Sequence, residues 1–278
     1  MFKTRLLSGI VLMAIAIAVL VYGGLLLFGV ITVISIIGLF ELYRTVGMEK
    51  TFPAMIGYII SILLDIFMIG DKLTLFGVHM TANHCSEYVL MCLLFALILF
   101  MASYVVAYPK YNSEQMTMLL FGLIYVTIML SFVFKLRFVE NGILFVWLIF
   151  VGAWGSDTCA YCIGKLLGKH KMPSELSPNK TIEGCVGGVL GAALIGFLFA
   201  IFACHNQVNY WWQFAVIGGV GSVISQIGDL TASAIKRNHN IKDYGTLIPG
   251  HGGILDRFDS IIFIAPIIYY LVVSFFGV

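Results

Sequence analysis

Apolar residues run along this chain in blocks of about 18–25, the length at which a helix crosses a bilayer, and short polar breaks separate them. The blocks predict an all-α polytopic membrane protein with about nine transmembrane helices. They fall approximately at 6–22, 25–42, 54–76, 87–108, 115–134, 143–163, 184–203, 212–235 and 259–276. Only Gly23 and Gly24 part the first two blocks, so these form a tight hairpin. Lys3 and Arg5 precede the first block in the manner of a signal peptide. No small-residue cleavage site and soluble domain follow it, however, and a second apolar run starts at once. Asp65 interrupts the third block, and Gly70-Asp71-Lys72 is a candidate early end for it, which leaves an even number of spans open there.

Composition strengthens this reading. Sixty per cent of the 278 residues are hydrophobic and the mean hydropathy is +1.01, well beyond a soluble globular domain. The net charge of +2 decides little, but its distribution decides orientation. With the N-terminus in the cytoplasm, only Lys72, Lys135 and Arg137 of the 16 Lys and Arg fall in outside segments. The positive-inside rule therefore predicts a cytoplasmic N-terminus and an outside C-terminus. Six cysteines at 85, 92, 159, 162, 185 and 204 lie mostly within apolar runs and read as small membrane residues, with no disulfide framework. The C-x-x-C of Cys159 and Cys162 lacks a second pair or matching histidines. The expected organisation is a five-helix scaffold over 1–142 and a four-helix catalytic region over 143–278, with cytoplasmic loops at 164–183 and 236–258.

Charge then gathers where chemistry is expected. Ser233–Asp259 holds Lys236, Arg237, Lys242, Asp243, Asp256, Arg257 and Asp259, together with His239 and His251, in a chain that is only 11% charged. Carboxylates inside spans are costly and are functional candidates by default. Asp65, Asp157 and Asp229 stand out. On the eighth helix, Ser225, Asp229, Ser233 and Lys236 or Arg237 recur at steps of three and four and so share one face. Gly252 and Gly253 let backbone approach a ligand closely. The ninth helix begins just beyond them, and its free N–H groups favour phosphate. Asp256 and Asp259 lie in its first turn, one toward the site and the other capping or pairing with Arg257. Hard oxygen donors suit Mg²⁺, for which Asp229 and Asp256 are the candidate ligands. Lys236, Arg237, Lys242 and His251 are candidate phosphate partners. Upstream, Ser156-Asp157-Thr158, the basic run Gly168-Lys169-His170-Lys171 and the segment Ser177 to Gly184 with Lys180 and Thr181 form a second polar region. It suits an anionic headgroup or a triphosphate, or simply the ordinary cytoplasmic charge bias; Glu183 after Thr181 reads as a plain helix start. Walker A loops, dinucleotide-binding glycine fingerprints and nucleophile elbows are missing from the sequence.

The run from Ser233 through Lys236-Arg237, Lys242-Asp243, Gly245, Ile248-Pro249, His251-Gly252-Gly253 and Asp256-Arg257-Phe258 to Asp259 resembles the signature of the phosphatidate cytidylyltransferase family. The likeness extends from about Ser156 to Asp259. Cys159 departs from the expected Gly or Ala, and Asn179 from a common Lys. The resemblance implies an enzyme that makes CDP-diacylglycerol and diphosphate from CTP and phosphatidate, with Mg²⁺ and a monovalent cation such as K⁺. It also implies a homodimer, a site open to the cytoplasm and the bilayer, and, from the chain length, a bacterial inner-membrane setting. Catalytic roles fall on Asp229, Ser233, Lys236, Arg237 and Asp256. Substrate contacts fall on Lys236, Arg237, Lys242, His251, Gly252, Gly253, Asp157, Lys180 and Thr181. No nucleic-acid partner is expected. Two other readings compete. A CTP-dependent lipid kinase of the dolichol-kinase type would transfer the γ-phosphate and need a base near the hydroxyl. A transporter or scramblase would carry its charge through the midplane, whereas here charge gathers on one face.

Overall fold

The computed structural model describes residues 2–69, 82–172, 176–177, 180–203, 210–248, 250 and 252–278. Over these residues the chain forms α1 Phe2–Tyr22, α2 Gly24–Thr45, α3 Phe52–Ile69, α4 Ala82–Val106 and α5 Ser113–Arg137. There follow α6 Gly142–Leu167, α7 Ile182–Ala203, α8 Trp211–Asn238 and α9 Leu255–Phe276. Strand pairing among the described residues is confined to two isolated bridges, Lys171 with Thr181 and Ile248 with Gly252. Seven helices, α2 and α4–α9, are long and apolar enough to cross a membrane, and Val11–Tyr22 and Phe52–Met68 are shorter apolar helices. Helices satisfy their backbone groups internally, as hydrocarbon demands. Each of the nine expected blocks carries one helix; positions 70–76 of the third lie outside the described residues. The four described cysteines that can be assessed, Cys92, Cys159, Cys162 and Cys185, are free thiols.

The helices group into two compact units, one of Met1–Lys135 with His239–Arg257, the other of Leu136–Asn238 with Phe258–Val278. In sequence, the units change over at 135/136, 238/239 and 257/258. The polar segment 239–257, expected to go with the C-terminal half, packs in the first unit. The reason is chemical and is given below: that segment's buried donors are met by a side chain of α2.

Within the first unit, Tyr43 is fully buried and its hydroxyl donates to Leu119 O at 2.9 Å. Ser61 on α3 and Thr127 on α5 share a buried hydrogen bond of 2.8 Å where the α5 backbone widens to a π-helical turn over Leu123–Ile128. Asn112 and Gln115 form a reciprocal cap at the start of α5, and the Gln115 amide also donates to Val46 O at 3.0 Å. Asp65, which interrupts the third block, is buried, and neither carboxylate oxygen meets a hydrogen-bond partner among the described residues.

The second unit is built on close backbone approach. Side chains at Gly196 or Gly218 would overlap the carbonyl oxygens of Phe214 and Ala192, so α7 and α8 touch backbone to backbone, as small residues allow in membranes. Ser156 on α6 and Ser222 on α8 bury a hydroxyl pair at 2.7 Å. Gln226 on α8 donates to Cys185 O at 3.1 Å. These bonds lock α6, α7 and α8 in register.

Candidate active site

The chemistry-bearing residues fall into two clusters, one in each unit. In the second unit, burial along α8 grades from one end of the polar stripe to the other. Ser225 is buried, Asp229, Ser233 and Lys236 are half-buried, and Arg237 is exposed. The predicted face is therefore real, and it leads from packed interior to solvent. The Lys180 ammonium pairs with Asp229 Oδ2, at side-chain exposures of 29% and 36%. Both charges thus remain accessible to a ligand.

Lys180 owes its position to the chain on either side of it. Met172 N donates to Lys180 O at 2.9 Å, and Ile182 N donates to His170 O at 3.0 Å. This short antiparallel pairing returns the loop to the start of α7. There the Thr181 hydroxyl accepts from Gly184 N at 3.1 Å and caps the helix. Thr181, expected to touch substrate, thus also holds the start of α7. Glu183, read as a plain helix start, instead accepts from the His170 backbone amide at 3.2 Å, and its Oε1 lies 2.6 Å from His170 Nδ1. Asp157 is exposed on α6. An open groove of about 660 Å³ runs between α6 and α7, lined by apolar groups including Ile163, Val186, Leu190 and Leu194.

In the first unit, the segment around the glycine turn is organised by three side chains. Asp256 is buried, and its Oδ2 accepts from Tyr244 N at 2.8 Å and Gly253 N at 2.9 Å. Glu41, 3% exposed on α2, accepts from Ile254 N at 3.0 Å on Oε1 and from Leu255 N at 2.8 Å on Oε2. One turn along α2, the Arg44 guanidinium donates to Tyr244 O. Gly252 has φ +85°, and a Cβ there would sit 2.8 Å from Asp256 Oδ2. A Cβ on Gly245 or Gly253 would overlap the Glu41 carboxylate. The bare faces of these glycines are thus filled by the protein's own carboxylates, where a ligand was expected. Likewise, the two N–H groups at the start of α9 expected to favour phosphate already serve Glu41. Lys242 is exposed beside this loop. Pro249 and His251 lie outside the described residues. Asp259, half of the expected carboxylate pair, belongs to the second unit, where its Oδ1 accepts from Ser260 N at 2.7 Å.

Sequence reading missed Glu41, Arg44, Tyr244 and Gln226. A signal for Glu41 existed: it stands inside the second apolar block, so the rule that singled out Asp65, Asp157 and Asp229 applied to it equally. Its partners, more than 200 residues away, left no pattern to read.

The donor chemistry fits Mg²⁺. Asp229, in the second unit, is an accessible carboxylate of the kind Mg²⁺ takes, whereas Asp256, in the first, is buried with its Oδ2 on two backbone amides. Among the described residues no three His, Cys, Asp or Glu gather as a ready-made cage. Such a cage is not needed where substrate phosphates complete the shell.

A model of a cytidylyltransferase family matches residues 3–275. The chain is 33% identical over 276 residues to the phosphatidate cytidylyltransferase of Bacillus subtilis (strain 168), covering 98% of each. It is 32% identical over 276 residues to the enzyme of that name from Staphylococcus aureus (strain COL), covering 98% of this chain and 99% of that one. The Staphylococcus saprophyticus relative of the same name is 31% identical over 272 residues.

Proposed function

The chain belongs to the cytidylyltransferase family, and we propose that it converts CTP and phosphatidate to CDP-diacylglycerol and diphosphate at a membrane. The observation that carries this is likeness over 98% of the chain to relatives of that name. The accessible Lys180–Asp229 pair supplies the paired charges that phosphoryl chemistry uses.

The phosphatidate phosphate is already ionised at neutral pH and needs no general base. One of its oxygens attacks the α-phosphorus of CTP in line. The new P–O–P linkage forms as the bond to the β-phosphate breaks, and the electron pair leaves on diphosphate. Asp229 and Asp256 are each assigned to Mg²⁺, which when bound neutralises phosphate charge. Lys180 holds Asp229 in the free protein and is assigned to phosphate when substrate is present. Lys236 and Arg237 hold the lipid phosphate or the triphosphate, and Lys242 and His251 the triphosphate. Asp157, Thr181 and Ser233 complete the polar lining. Gly252 and Gly253 act by admitting the two carboxylates. The groove between α6 and α7 suits an acyl chain. The proposal further includes a cytoplasmic N-terminus, a site facing the cytoplasm of the inner membrane, a homodimer and a supporting K⁺.

CTP labelled in the α-phosphate tests the reaction. Label in the lipid product is the expected result. An unlabelled phosphorylated lipid would instead mark a γ-phosphate kinase, and lipid flux in liposomes without nucleotide would mark a transporter.

A further inference from the structure

A carboxylate buried in a membrane helix is expensive unless charge-assisted donors meet it. Glu41 is such a group, and both of its oxygens are met by backbone amides of one loop. That loop is gripped at its other end by the same helix, through Arg44 to Tyr244 O. Asp256 closes the circuit by accepting from Tyr244 N and Gly253 N. Two glycines, Gly245 and Gly253, are bare where the Glu41 carboxylate lies. Three backbone groups, Tyr244 O, Ile254 N and Leu255 N, are thus referenced to two side chains a single turn apart on α2.

We propose that Glu41 is a positioning residue of the transfer reaction, which fixes Gly253–Leu255 against Tyr244 and so the placement of Asp256. Buried charge is a poor device for stability, since apolar replacements commonly match it. Here its yield is geometric: two directional bonds to adjacent amides fix both the height and the rotation of the turn. The inference rests on the reading of this loop as part of the cytidylyl-transfer site.

The test uses the full chain purified in detergent. Wild-type turnover of CTP and phosphatidate is measured first; no CDP-diacylglycerol from wild type overturns the functional reading whatever Glu41 does. Hydrogen exchange on the substrate-free protein then reads the positioning directly. In Glu41→Gln one amide acceptor becomes a donor facing an N–H. Exchange at 244 and 253–255 should accelerate roughly tenfold or more while α2 and α9 beyond its first turn stay protected. Turnover should fall by about 10²-fold, the cost of a displaced catalytic group, in kcat rather than in KM for CTP. Gly253→Ala should reproduce both effects, because its methyl displaces the same carboxylate. In a Glu41→Ala background, Gly253→Ala should add little, since the two act through one contact. Should Glu41→Gln fail to accumulate, Glu41→Asp, one methylene short, carries the same expectations. Wild-type exchange and kcat in either variant, or independent additive losses in the double variant, would overturn the proposal.

Discussion

The two polar clusters use the same residue types in opposite ways. In the first unit, Glu41 and Asp256 are buried and aimed at backbone amides. In the second, Asp229 and Lys180 are part-exposed and aimed at each other. A carboxylate that satisfies backbone donors is committed, because moving it orphans buried N–H groups at about 1–3 kcal/mol each. A carboxylate paired with a flexible ammonium is exchangeable, since an exposed pair is worth only about 0–1 kcal/mol. One cluster sets a frame, and the other offers charges that a substrate can redistribute.

Substitutions can break this contrast. Asp229→Asn and Asp256→Asn should each lower kcat/KM by about 10³-fold or more, as expected from losing several kcal/mol of metal-assisted stabilisation. Product formation from CTP measures this. Only Asp256→Asn should also speed hydrogen exchange at 244 and 253; equal loop protection in both variants would erase the distinction between frame and exchangeable charge. Lys180→Met should lower activity by roughly 10–100-fold, the worth of one charge-assisted bond. Its melting temperature should stay near that of wild type, and a large fall would mean that the pair is structural. Arg44→Met should cost about 1.5–3 kcal/mol through its lost bond to the Tyr244 carbonyl, read as a lower melting temperature. Thr181→Ala is the smallest change. It should cost about 1 kcal/mol of helix capping, and Thr181→Ser should restore it.

Much of the fold was legible because bilayer thickness imposes its own period: nine apolar blocks became nine helices among the described residues. The stripe Ser225, Asp229, Ser233, Lys236 was legible for a similar reason, since helical spacing converts sequence into a face. What was hidden depends on contacts between distant segments. Gly253 reads equally well as room for a ligand or room for Glu41, and only the fold decides between them. The capping role of Thr181 was hidden as well, because hydroxyl capping and hydroxyl binding use the same atom. The interleaving of 239–257 with the first unit was hidden for the same reason, because it is fixed by Glu41 and Arg44 on α2.

The link between Glu41 and Ile254 spans 213 positions of the chain. At synthesis rates of roughly 5–20 residues per second, α2 leaves the ribosome on the order of ten to forty seconds before its loop exists. Throughout that interval Glu41 sits at the end of an apolar helix without the amides that will satisfy it. Assembly of the first unit therefore waits until residues 239–257 have been made. A chain interrupted before residue 254 carries a carboxylate in an apolar helix without the two amides that satisfy it in the finished fold.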